Sequence, residues 1–402
     1  MLQEVKTHFT ALKQRVNNHP VVFLDGPAGT QVPDQVIETM VRYYHQSNAN
    51  THGQFANAHE TDEMMQQTRA DVASFLNAPD EGCISFGQNM TTLSFALARS
   101  FGRIFKPGDE VLITQLDHEA NRGPWLTLRD QGIIVREIRV KPEGVLDYDD
   151  FKQKLNERTR LVCVGGASNF TGTVNDLALI RQATYQSGAW LLVDAVHYAP
   201  HFLIDVQQLG CDFLLCSAYK FYGPHVGILY AKPGLLSQLP TDRLRTQDPV
   251  APYRIETGTL NHAAIAAVQG AIHWMASWGE GTALRDRLDQ AYQRIRAHEY
   301  QLARKLYEGL THLPGVTVVG PDMDVALRAP TLSFYHNRLT AEMVCRKLGE
   351  EGIFAWDGHF YAIRAAEVLG LLERGGVTRM GISMYTEPED IHRTLAVLAE
   401  IC

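Results

Sequence analysis

Short apolar runs alternate with stretches of helical periodicity through the first two thirds of the chain, and that alternation constrains the fold more than any single motif. CISF, EVLIT, RLVCVGG, AWLLVD, DFLLCS and GILYA read as strands, with helix-like segments such as TTLSFALARSFGRIF and LALIRQATYQSG between them. Strands apolar throughout and separated by helices imply βα units around a mostly parallel sheet, covered by helices on both faces. After Thr259-Leu260-Asn261 the pattern changes to long helical segments, notably ALRDRLDQAYQRIRAHEYQLARKLYEGL, followed by GVTVVG and TLSFY. A chain of 402 residues exceeds one ordinary core. We therefore expect an N-terminal helical segment over 1–20, a large α/β domain over 21–262 and a smaller α+β domain over 263–402.

Composition narrows the function. The hydrophobic fraction of 45% and charged fraction of 20% are those of a globular protein. A net charge of −8, with no basic patch interleaved with aromatics, argues against a nucleic-acid partner. The opening MLQEVKTHFTALKQRV has helical spacing and no continuous apolar core, so neither a leader nor a membrane anchor is expected, and the expected location is cytoplasmic. The six cysteines form no C-x-x-C pair and no framework, and most stand in apolar runs such as LVCV and FLLC, as reduced, buried small hydrophobes do. His52 and His59 lie near one another in NTHGQFANAH without a recognisable ligand spacing, so no metal site is expected.

Ligands of open α/β sheets bind beyond the carboxyl ends of the strands. Polar residues recur there: GQNMTT follows CISF, QLDHEAN follows EVLIT, ASNFTG follows RLVCVGG, DAVH follows AWLLV and SAYK follows DFLLC. Turn and cap formation accounts for each one separately, but five strand ends carrying such groups imply one cleft. Gly87-Gln88-Asn89-Met90-Thr91 offers backbone N–H groups and a positive dipole end at the start of a helix, which suits a phosphate. It is neither a P-loop nor a dinucleotide fingerprint. The other ends supply a carboxylate, an imidazole, an amide and a lysine. A phosphorylated heteroaromatic aldehyde uses that whole set: pyridoxal 5′-phosphate needs a lysine for a Schiff base and an acid against its ring nitrogen. Lys220 and Asp194, on successive strand ends, fit those two roles.

At these residues the chain resembles the class V, fold-type I pyridoxal phosphate enzymes, in their cysteine desulfurase-like and selenocysteine lyase-like branch. FLDGPAGTQVP is similar to the branch's Y-L-D-x-A-A-x-x-x-x-P, and DHEANRGPW to E-H-x-A-N-x-x-P-W. ASNFTGT, DAVHYAPH, SAYKFYGP and ETGTLN follow in the family's order. The resemblance implies a homodimer and names roles. Lys220 carries the cofactor, His118 stacks on its ring, Asn169 and His197 lie near the ring hydroxyl, and Asp194 pairs with the ring nitrogen. Ser217, Tyr219 and the backbone at Asn89 and Met90 hold the phosphate, and Thr259 reaches the phosphate of the second subunit. Ala28 and Arg379 bind the substrate, Arg379 as a fork for its carboxylate.

The chain also departs from the pattern. Where related desulfurases read R-T-G-x-x-C, with a cysteine that accepts sulfur, it reads Trp356-Asp357-Gly358-His359-Phe360-Tyr361. The resemblance therefore implies an enzyme acting on a small amino acid, with C–S cleavage by β-elimination and no persulfide cysteine. An aminotransferase or a kynureninase-like hydrolase is the alternative, since the D-x-x-H spacing of Asp194 and His197 occurs in those relatives too. A catalytically silent pyridoxal phosphate-binding protein is the other.

Overall fold

The computed structural model describes Leu2 and residues 4–402; Met1 and Gln3 lie outside the described residues. Seven strands form the main sheet: β1 (Ile84–Gly87), β2 (Glu110–Thr114), β3 (Ile134–Ile138), β4 (Thr159–Gly165), β5 (Trp190–Asp194), β6 (Phe213–Ser217) and β7 (Gly227–Ala231). Their spatial order is β1-β7-β6-β5-β4-β2-β3. Every pairing is parallel except the two made by β7, with β1 and with β6. The mostly parallel sheet expected from the apolar runs is present.

Side chains alternate between two cores, as the period of a strand requires. Val111, Ile113, Leu161, Cys163, Phe213 and Leu215 pack on one face. Leu112, Val162, Val164, Leu214 and Cys216 pack on the other. Burial on both sides is why these strands read as unbroken apolar runs. The strand β3 was missing from the expected set for the converse reason: its sequence IVREI carries Arg136 and Glu137, and its place at the sheet edge leaves it half covered.

Six helices matter for the site: α1 (Asp34–Gln46), α2 (Ala56–Leu76), α3 (Met90–Gly102), α4 (Leu177–Ser187), α5 (His262–Ala276) and α6 (Leu284–His312). Helix α5, which spans the expected division between 262 and 263, packs on α1 and α2, and its Ile265, Val268, Ile272 and Trp274 belong to the core of the main sheet. Within the N-terminal segment expected to be helical, two short 3-10 turns, Val5–His8 and Thr10–Lys13, are followed by a two-stranded pair. Phe9 between the turns is extended and fully buried, edge-on to Trp274 at 5.4 Å and to Tyr385 at 5.1 Å. Burying that ring overrides the local helical spacing.

The C-terminal part carries a four-stranded antiparallel sheet of β8 (Val316–Val319), β9 (Thr331–His336), β10 (Trp356–Gly358) and β11 (Val377–Gly381), ordered β8-β9-β11-β10. Leu302, Leu306 and Leu310 of α6 and the final helix Pro388–Ile401 pack on it. The loop of residues 25–29 reaches this sheet through the pairing of Asp25 with Gly381. A Cβ on Gly381 would stand 2.2 Å from the Pro27 ring, so only glycine allows that approach. Among the described residues no helix is long and apolar enough to cross a membrane.

Candidate active site

The five expected strand ends meet in one cleft. Asn89, His118, Asn169, Asp194, Ser217 and Lys220, each at or just beyond the carboxyl end of a strand of the main sheet, line one pocket. Asn89 caps α3, its side chain accepting from Thr92 N–H at 2.9 Å while Thr92 Oγ1 accepts from the Asn89 N–H. The Met90 N–H donates to Ser217 Oγ at 3.0 Å, which sets the hydroxyl on the positive end of α3. A Cβ on Gly227 would lie 2.4 Å from the Asn89 backbone, so β7 needs its glycine for the turn to settle on the sheet. Tyr219 stacks on His225 with ring centroids 4.6 Å apart.

The charged groups on the floor are buried. Asp194 is 8% exposed and accepts one bond, from Val196 N–H at 2.9 Å. Burial pushes its carboxyl up to about 7; the Val196 N–H and Lys220 oppose that rise and Asp117 adds to it. Lys220 donates to the carbonyls of Pro27 and of Ala28, the latter at 3.1 Å. Burial pulls its ammonium down to about 7, Arg379 pulls the same way and Asp194 resists. The amine is thus half neutral near pH 7, as a nucleophilic lysine needs. His118 accepts from Ala120 N–H through Nδ1 at 3.0 Å, and burial, with the Lys220 and Arg379 charges, lowers it to about 4. Its imidazole is neutral at pH 7.

His197 bonds Thr331 Oγ1 at 2.9 Å through Nε2, while its buried Nδ1 has no partner among the described residues. Arg379 comes from β11 and is 3% exposed, far from a surface guanidinium. It donates to the Asn169 carbonyl at 2.9 Å and lies 3.9 Å over the Phe360 ring. Burial pulls it down to about 9, with Asp25 and Tyr219 opposing, and its Nε is unpartnered. Ala28 meets Lys220 through its carbonyl. Thr259 stands apart, exposed, beside a separate depression lined by His52, Arg69, Tyr253 and Glu256. Glu256 ties the start of its loop to the main sheet, taking two 2.6 Å bonds from Arg69 and a 2.7 Å bond from Phe86 N–H.

Two acids, the buried Asp117 and the half-buried Asp25, were not among the expected site residues. Asp117 accepts from Gly165 N–H at 3.1 Å and from Asn121 at 2.8 Å, fastening the ends of β2 and β4 together. Asp25 is pushed up to about 6 by burial, against its backbone N–H and Arg379, and its Oδ1 is unpartnered. Each lies inside a motif read from the sequence, DHEAN or FLDGPAG, where an acid beside turn residues looks like a cap.

The set fits pyridoxal phosphate: a buried, half-neutral amine, a carboxyl with no cation of its own at ring depth, a neutral imidazole and a helix start with a hydroxyl on it. The six cysteines are all free; Cys83, Cys163, Cys211 and Cys216 are buried, and Cys345 and Cys402 are half-buried. Burial drives the Cys345 thiol up to about 12. Among the described residues no group of three or more His, Cys, Asp or Glu could hold a metal ion.

The profile of the family described as Aminotransferase class-V matches residues 22–394. The chain is 32% identical over 417 residues to the cysteine desulfurase of Pectobacterium atrosepticum, covering 100% of this chain and 98% of that one. It is 30% identical over 404 residues to the probable cysteine desulfurase of Synechocystis sp., covering 96% and 92%. Among solved structures, the apo cysteine desulfurase from Thermococcus onnurineus NA1 superposes with a TM-score of 0.87 at 26% identity, covering 97% of each chain. A cysteine desulfurase from Escherichia coli gives 0.85 at 26% identity, covering 98% of this chain and 96% of that one.

Proposed function

The chain belongs to the class V aminotransferase family, in the branch of pyridoxal phosphate-dependent, cysteine desulfurase-like enzymes, and from that premise we propose that it cleaves the C–S bond of a small amino acid by β-elimination. No cysteine of its own carries the sulfur in this reading. The observation that carries it is position 361: a tyrosine, 71% exposed, stands where the resemblance calls for the sulfur-accepting cysteine. The alternatives on the chain are poor. A relay thiol must be mobile, exposed and readily ionised, whereas four cysteines are core residues and burial raises the thiols of Cys345 and Cys402.

When bound, pyridoxal phosphate supplies an electron sink that makes the bonds at Cα and Cβ labile. Lys220 would hold the cofactor, and its amine would accept the proton from Cα; its depressed basicity suits both tasks. Asp194 keeps a proton on the ring nitrogen, since a buried carboxylate at ring depth with one hydrogen bond is stabilised by a cation against it. His118, neutral and held through Nδ1, would stack on the ring, and Asn169 and His197 would orient the ring hydroxyl. Ser217, Tyr219 and the N–H groups at Asn89 and Met90 hold the phosphate, with Thr259 of a second copy completing the cradle in a homodimer. Arg379 and Ala28 fix the substrate, the unpartnered Nε of Arg379 being free for the carboxylate.

The test is product analysis. The cofactor-loaded protein incubated with cysteine, cystine and other small amino acids is expected to yield pyruvate, ammonia and a sulfur product. A keto acid matching the substrate carbon for carbon would instead establish the aminotransferase alternative.

A further inference from the structure

The segment that replaces the sulfur-accepting loop is an ordered aromatic rim. Phe360 and Tyr361 are consecutive non-glycine residues with φ of 52° and 59°, a left-handed pair rare enough to need outside support. The support comes from two segments that also build the floor: Asn169 Nδ2 donates to the Phe360 carbonyl at 2.9 Å, and Glu119 N–H to the Tyr361 carbonyl at 2.7 Å. The Phe360 ring lies on the Arg379 guanidinium at 3.9 Å and near Phe170 at 6.0 Å. Tyr361 then projects outward, its ring 5.5 Å from that of His118 and 71% exposed. Trp356 pairs directly with Arg379 across β10 and β11, so it shares the face from which Arg379 enters the cleft, and it is 50% exposed. Tyr361 thus stands beside the cleft residue His118, Trp356 stands beside Arg379 on the same face of the small sheet, and both rings are exposed in the single chain.

We propose that Trp356, Phe360 and Tyr361 form a recognition surface for the leaving group, so that the enzyme selects amino acids whose sulfur carries an apolar or aromatic substituent over free cysteine. The inference rests on the elimination reading above. A substrate anchored by its carboxylate at Arg379 has its β-substituent free to extend toward the mouth, where sulfur and apolar groups gain from contact with ring edges and faces. A bare thiol is too small to use that surface. The chemistry balances without an oxidant: the Cα proton is removed, the Cβ–S bond breaks with its electron pair on sulfur, and the departing thiolate takes a proton. Water then replaces nitrogen on the three-carbon fragment, giving a thiol, pyruvate and ammonia.

The experiment uses the pyridoxal phosphate-loaded protein with S-benzyl-L-cysteine, L-cysteine and β-chloro-L-alanine, whose chloride is too small to reach the rings. The expected kcat/KM for S-benzyl-L-cysteine exceeds that for L-cysteine at least tenfold. In Tyr361→Ala and Trp356→Ala, both at exposed positions, its ratio to β-chloro-L-alanine falls about tenfold, mainly through KM, and Tyr361→Phe restores most of it. Binding of S-benzyl-L-cysteine read by tryptophan fluorescence weakens in parallel, independently of turnover. Pyruvate from β-chloro-L-alanine with no preference between the two cysteines, or a preference that survives both alanine variants, overturns the aromatic surface alone. No pyruvate from any of the three overturns the elimination reading, and the selection of a leaving group falls with it.

Discussion

On the floor of the cleft Lys220, Asp194 and His197 are 7%, 8% and 4% exposed, whereas at its mouth Tyr361 and Trp356 are 71% and 50% exposed. The floor stands on the ends of parallel strands with both faces in the core, so its groups are fixed by the main sheet and their charges are paid for in desolvation. The mouth is delivered by the smaller antiparallel sheet and held by a few hydrogen bonds to the floor. Burial tunes basicity in the first region, and shape and ring chemistry dominate in the second. On the proposed reading, reaction type belongs to the floor and substrate choice to the mouth.

The largest effect that could break this division is at Lys220. Lys220→Ala is expected to abolish borohydride-reducible attachment of pyridoxal phosphate, read by mass spectrometry; attachment at another lysine would remove the floor's central group. Next comes Asp194→Asn, which should keep the cofactor but lose roughly 10²–10³-fold in kcat, the scale seen when one preorganised electrostatic partner is removed. Full turnover in that variant would contradict the role given to Asp194.

Arg379→Ala should raise KM roughly 10- to 100-fold, from the loss of a charge-assisted bond worth ~1.5–3 kcal/mol, with a smaller change in kcat. Arg379→Lys should recover only part, because a lysine cannot offer the planar fork. A pH dependence sharpens the floor further. Lys220 must be neutral to attack, and its folded value of about 7 lies below the ordinary ammonium value, so cofactor uptake by the unloaded protein should rise with pH about a midpoint near 7. Asp194 holds that value up, so Asp194→Asn should move the midpoint lower and Arg379→Ala should move it higher. A midpoint near the free-lysine value of about 10.4 would show that burial does not act as described.

Much of the floor was legible because each residue sits within a few positions of an apolar strand: Lys220 after DFLLC, Asp194 closing AWLLVD, Asn89 after CISF. Local order placed them, and sheet topology brought them together. What escaped depends on packing between distant segments. Asp117 reads as a turn residue until Gly165 N–H is seen on it, and the pairing of Arg69 with Glu256, 187 positions apart, has no local trace. Phe360 reads as loop, and its stacking on Arg379 arises from β10 pairing with β11. In the N-terminal segment, expected to be helical, the buried and extended Phe9 separates two 3-10 turns.

Whether sulfur leaves with the substrate's own fragment or passes through the protein decides the account. The direct measurement is the three-carbon product formed from L-cysteine or L-cystine by the cofactor-loaded wild type, beside a variant in which Cys345 and Cys402, the two cysteines outside the core, are both serine. Pyruvate with equimolar ammonia, at the same rate in both proteins, is the predicted result. Alanine as the main product, lost in the double variant, would contradict it and return the enzyme to sulfur transfer through a cysteine of its own.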